Sequence, residues 1–140
     1  MPFSVAVLDE AKHGKLAAER ATELCAAAFS ARGFEINRMG EVSVALVDLP
    51  IIHELNFKFR NIDSPTDVLS FDIDGPDGEM VGEIVVAPGY VRFDRAGVEE
   101  LVIHGALHLA GMDHGDDFVG SEMEAVQEAV LRGVREGRGS

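Results

Sequence analysis

The segment His104-Gly105-Ala106-Leu107-His108-Leu109-Ala110-Gly111-Met112-Asp113-His114 gathers three of the chain's five histidines into eleven residues. On a helix of about 3.6 residues per turn, positions four apart lie one above the other, so His104 and His108 present two imidazoles to one point. Gly111 supplies the left-handed residue that commonly ends a helix, which lets the chain double back and bring His114 toward that point. Three neutral nitrogen donors suit zinc, one ion per chain, because a catalytic zinc usually takes three protein ligands and leaves its fourth position to water. A structural zinc wants a fourth protein ligand, and the single cysteine, Cys25, lies far upstream in an Ala-rich stretch. The open site is therefore expected. His13 and His53 stand alone and read as hydrogen-bonded core residues. Asp113 either orients a ligating imidazole from behind or is a solvated turn residue.

Bound zinc lowers the pKa of its water to about 7, which makes hydrolysis the first reaction class to weigh. The spacing H-x-x-x-H-x-x-G-x-x-H also matches the ligand skeleton of metzincin proteases, whose helix carries a glutamate general base directly after the first histidine. Here that position is Gly105. Without a carboxylate there, peptide hydrolysis lacks its usual machinery.

The surrounding elements follow from periodicity and breakers. Phe3 to Leu8 is a short β-rich run, and an Ala-rich helix is expected from about Ala11 to Arg32, stopped by Gly33. Val42 to Val47 reads as a buried strand. Asp48 is placed to cap a short helix with Pro50 in its first turn and Ile52, Leu55 and Phe59 on one stripe. Thr66 to Ile73 is the next strand, and strand, helix and strand in that order predict a right-handed crossover and a parallel pair. Asp74 to Gly78 is a dense turn signal before Met80 to Ala87, so an antiparallel hairpin is expected. From about Ala96 a strongly apolar helix carries the first two histidines, and buried polar side chains on such a helix need partners. An amphipathic closing helix opens at Asp116-Asp117 and carries Val119, Met123, Val126 and Val130. The expected fold is mixed α+β: a single layer of about four mixed strands packed with helices, the metal site lying on a central buried helix and the loop after it.

At 140 residues and 46% hydrophobic content the chain has room for one core and one domain, residues 1–140. No segment has the length and apolarity of a membrane span, and the N-terminus lacks the basic region of a signal peptide, so a soluble cytoplasmic protein without a membrane partner is expected. The net charge of −13 excludes nucleic-acid binding through the overall field. A local basic patch remains possible from Lys58 and Arg60, or from Arg92 and Arg95.

Leu55-Asn56-Phe57-Lys58-Phe59-Arg60, Pro65-Thr66-Asp67-Val68-Leu69-Ser70-Phe71, Gly82-Glu83-Ile84, the histidine motif and Glu122-Met123 occur in the order found in the YbeY family of rRNA maturation factors. The chain resembles that family from about Leu46 to Leu131. The resemblance implies a single-strand-specific, zinc-dependent endoribonuclease acting in 16S rRNA 3′ end maturation and ribosome quality control. It implies His104, His108 and His114 as the zinc ligands and Arg60 as a functionally important arginine. A guanidinium there would hold a phosphodiester bidentately and stabilise charge on its oxygens. The implied partners are single-stranded rRNA and the small ribosomal subunit or its associated proteins; DNA is not expected. Thr66, Asp67 and Ser70 are candidates for the cleft wall, and Asp67, Glu83 and Asp113 for supporting contacts. Glu83 stands where the family usually has aspartate, and the stretch from Glu83 to His104 is shorter than is usual. Two rivals are a non-catalytic zinc-containing ribosome assembly factor and a small metallopeptidase.

Overall fold

A computed structural model describes residues 3–9, 12–14, 16–36, 39–74, 80–90, 97–113 and 118–137. Its elements are β1 (Val5–Leu8), α1 (Ala18–Ala31), β2 (Val42–Leu46), α2 (Leu49–Arg60), β3 (Val68–Asp74), β4 (Met80–Val86), α3 (Val98–Leu109) and α4 (Glu122–Arg135). The four strands form one mixed sheet in the order β1-β2-β4-β3, and the fold is mixed α+β. β4 is interior because Ile84-Val85-Val86 is apolar on both faces and all three residues are buried, as a strand covered on two sides requires. It pairs parallel with β2 and antiparallel with β3, the latter from Val68 opposite Val86 to Asp74 opposite Met80.

The antiparallel hairpin is thus as expected, whereas the parallel pair of β2 and β3 is not found. The short link between β3 and β4 forces those two strands together, and the more apolar β4 takes the central place beside β2. β3 is left on the edge, antiparallel to its neighbour and one strand removed from β2. The parallel pairs are β1 with β2 and β2 with β4.

Helices cover both faces, unequally. α1, α3 and α4 share one core with Val44, Ile84 and Val86, in which Leu24, Phe29, Ile103, Leu107 and Met123 are buried. Each such side chain contributes about 1.5–3 kcal/mol relative to exposure. α3 is the middle of this layer, with seven of its twelve residues buried. Cys25 sits in the same core, where desolvation pushes its thiol up to about 12, outside the range of a metal-binding thiolate. On the opposite face α2 packs alone, through Ile52 against Leu69, Val85 and Ala87.

Several helix ends depart from expectation. α1 begins at Ala18, not near Ala11, because Lys12 and Gly14 hold positive φ angles of 56° and 65° and the Asp9 carboxylate accepts the backbone N–H groups of His13 and Gly14. α4 begins at Glu122 behind Ser121, whose hydroxyl oxygen accepts the Glu124 N–H; Val119 precedes it at 80% exposure and is no part of its apolar stripe. Asp116 and Asp117, Arg92 and Arg95 lie outside the described residues. Asp48 is the N-cap of α2 by backbone conformation, but its side chain makes no cap hydrogen bond. It meets His13 Nε2 at 2.9 Å instead, while His13 Nδ1 meets Asp9 at the same distance. The Asp9 hydrogen bond, with that of Asp48, raises the His13 pKa. His13 and His53 are both hydrogen-bonded, His53 to Asp63 at 2.7 Å, but at the surface and not in the core.

Candidate metal centre

The spacing of four on α3 stacks the two imidazoles as expected. His104 Nε2 and His108 Nε2 are 3.1 Å apart, and the rings lie 4.7 Å apart at 72°. Nitrogens bound at about 2.1 Å to one tetrahedral zinc lie about 3.4 Å apart, so the pair already has the bite such an ion needs. Behind it, His104 Nδ1 meets Gln127 Oε1 at 2.9 Å. An amide oxygen only accepts, so Nδ1 carries the proton and Nε2 keeps its lone pair on the side facing His108. Gln127 is buried on α4, 23 residues away. The ring of Phe118 packs on His104 with centroids 5.0 Å apart.

His114 lies outside the described residues. Among the described residues no group of three His, Cys, Asp or Glu side chains is placed to hold a metal. The turn toward His114 is described up to Asp113. Gly111 has φ 94°, its N–H donates to the His108 carbonyl, and Met112 N–H donates to that of Leu107. These two bonds are the paired closure of a Schellman ending, which reverses the chain immediately after the second histidine.

Gly105 marks the contact of α3 with the sheet. A Cβ there would lie 2.5 Å from Ile84 Cγ2 and 3.0 Å from Ser70 Oγ. Ser70 Oγ donates to the Gly105 carbonyl at 2.9 Å. The residue after the first histidine is therefore pressed into β3 and β4, turned away from the imidazole pair, and no side chain fits there.

A cavity of about 830 Å³ runs along the open edge of β3, with His104 and His108 on one side and the end of α2 on the other. Arg60, in the last turn of α2, lines it together with Phe59 and Phe71, whose rings meet at 5.1 Å. Arg60 and the histidines thus belong to one cavity although they start from opposite faces of the sheet. Thr66, Asp67 and Ser70 also line it, and Asp67 is 4% exposed with Thr66 Oγ1 donating to it at 3.3 Å. Asp113 is exposed at the rim. Glu83 is not there. Strand alternation turns it to the face opposite Gly82 and Ile84, where Ser43 Oγ donates to it at 3.4 Å. The α3 and α4 side of the cavity is acidic, with Glu100, Glu124 and Glu128.

The sequence profile described as Endoribonuclease YbeY matches residues 7–135. The chain belongs to the YbeY endoribonuclease family. An Endoribonuclease YbeY of Rubrobacter xylanophilus is 61% identical over 136 residues, 96% of this chain and 98% of that protein. Another, of Azorhizobium caulinodans, is 38% identical over 84% of this chain and 82% of its own length. Among solved structures, a Thermotoga maritima protein determined in solution superposes with a TM-score of 0.54 at 32% identity, covering 96% of this chain and 94% of that one. The cavity that the imidazole pair and Arg60 line thus belongs to a member of an endoribonuclease family. Of the residues around it, sequence reasoning missed Gln127 and Phe118, since only folding brings them to His104.

Proposed function

We propose that this chain cuts single-stranded RNA internally with one zinc ion held by His104, His108 and His114, and with Arg60 as the phosphate clamp. The observation that carries this reading is the 3.1 Å separation of two Nε2 atoms in the cavity that Arg60 also lines. Zinc bound there supplies a Lewis acid and lowers the pKa of a coordinated water. Arg60 holds two oxygens of the phosphodiester and offsets the charge that grows on them as the bond to the leaving oxygen breaks. Gln127 keeps the His104 proton on Nδ1, so that Nε2 is the donor. Phe118 packs edge-to-face on the His104 ring and helps to hold its orientation. With Gly105 pressed into the sheet, no glutamate base follows the first histidine, and the attacking oxygen belongs either to water or to the ribose 2′-hydroxyl.

The deciding experiment incubates zinc-loaded protein with end-labelled single-stranded RNA and with its duplex. Cleavage of the single strand is expected, lost on chelation, restored by zinc, and lowered by about 10²–10³ in kcat/KM in Arg60→Ala. Ends bearing a cyclic phosphate identify attack by the 2′-hydroxyl. Intact RNA at full zinc occupancy sinks the reading. Action in the cytoplasm on the 3′ end of 16S rRNA, ribosome quality control and the small subunit as partner belong to the same proposal. The partner is supported by the net charge of −13 and the acidic cavity side, which weaken the pull on RNA and favour a protein that delivers it. The same charge favours a second reading, a non-catalytic assembly factor, which a folded ligand variant able to rescue rRNA processing would establish.

Gln127 allows a narrower test. Removing a partner that orients a ligating histidine typically costs 10–100-fold in metal affinity. Gln127→Ala is expected to lose zinc affinity by about that factor in chelator competition, and Gln127→Glu, which keeps an acceptor, to retain it. Equal affinity in all three proteins would remove Gln127 from the site.

A further inference from the structure

We propose that the ring of Phe59 is a stacking platform for an unpaired nucleobase next to the phosphate held by Arg60, an inference that rests on the ribonuclease reading above. Phe59 is 57% exposed although it is large and apolar, and it lines the cavity. Its ring meets that of Phe71 at an edge-to-face angle, and more than half of the residue stays exposed. Its two neighbours in sequence are cations. Lys58 Nζ lies 5.4 Å from the Phe59 centroid, and Arg60 enters the cavity. Among the described residues neither cation is paired with a carboxylate.

The occupant follows from charge and shape. In a chain of net charge −13, with acids on the α3 and α4 side of the cavity, the end of α2 is where a polyanion's backbone can approach. A ring flanked in sequence by two cations, with Lys58 Nζ over it and Arg60 in the same cavity, matches the alternation of bases and phosphates along a single strand. Bases in a duplex are already stacked on each other and cannot use it. A peptide would gain little from an open aromatic face flanked by positive charge. The platform therefore makes unpaired RNA, and not merely RNA, the ligand of this wall.

The test titrates a short single-stranded RNA carrying one 2-aminopurine into protein in the non-cleaving His108→Ala background, which retains Arg60 and Phe59. Binding should quench the 2-aminopurine. Stacking on an aromatic side chain is worth about 1–3 kcal/mol per base, so Phe59→Ala should weaken Kd by roughly 5- to 150-fold and abolish the quench. Phe59→Leu keeps apolar bulk against Phe71 and should behave like alanine, whereas Phe59→Trp should restore both affinity and quench. Phe57, 54% exposed but outside the cavity wall, is the control, and Phe57→Ala should bind as the parent does. Near-UV circular dichroism establishes that each variant is folded. Unchanged Kd and quench in folded Phe59→Ala, or full binding by Phe59→Leu, overturn the platform and leave the ribonuclease reading intact. No binding by the parent protein, together with no cleavage by the wild-type enzyme, overturns both.

Discussion

Gly105→Glu is expected to unfold the protein and not to equip it with a protease's general base. The new Cβ alone lies 2.5 Å from Ile84 Cγ2, the side chain of a fully buried β-branched residue, and 3.0 Å from Ser70 Oγ. Ile84 has little rotamer freedom with which to retreat. Overpacking of this kind costs about 1–3 kcal/mol, and a carboxylate buried without a partner adds several kcal/mol more. Together these approach the whole stability of an ordinary domain, about 5–15 kcal/mol. Gly105→Ala separates the two terms. Alanine in place of glycine favours a helix by about 1 kcal/mol, so a net loss in that variant isolates the steric cost. Urea denaturation followed by circular dichroism measures both. A Gly105→Ala protein more stable than its parent, or a folded Gly105→Glu protein with the parent's midpoint, contradicts the tight contact of α3 with the sheet.

His108→Ala is expected to lose stoichiometric zinc and to lower RNA cleavage by on the order of a thousandfold or more, with the fold retained. His108 is partly exposed on the cavity wall, and its ring packs on His104. Removing it therefore costs little stability while halving the imidazole pair. Elemental analysis after dialysis gives the zinc content, and end-labelled RNA gives the rate. A zinc-free, folded variant that still cuts RNA at the parent's rate refutes the assignment of His108 to the metal and, with it, the chemistry proposed for the cavity.

The parts of this molecule legible in the sequence are those decided by nearby residues. His104 and His108 stack because a helix repeats every 3.6 residues, and Gly111 ends that helix through bonds confined to one turn. The β3–β4 hairpin is likewise local. Strand order is not, and β4 displaces β3 from the side of β2 because of burial on both faces, a property of the assembled sheet. Asp48 illustrates the same limit. Its backbone caps α2 as its position indicates, but its carboxylate goes to His13, 35 residues earlier. Gln127 had no local signal at all, being one polar residue on an amphipathic helix until α4 packs beside α3. Gly105 was legible as the lack of a base, while its cause, the pressure of Ile84 and Ser70, belongs to the packed structure. The family motifs singled out Arg60, and the fold brings it into the same cavity as histidines that lie on the other face of the sheet.

α2 buries only Ile52 and Asn56, and Asn56 Oδ1 has no hydrogen-bond partner among the described residues. α1, α3 and α4 each bury at least five residues. Local opening draws on the elements with the least buried surface, so α2 is the helix whose detachment costs the fold least. The cavity consequently has one stiff wall and one compliant wall. The imidazole pair rides on the best-buried helix, while Arg60 rides at the end of the loosest, where it can adjust to a polymer whose backbone never arrives twice in the same conformation.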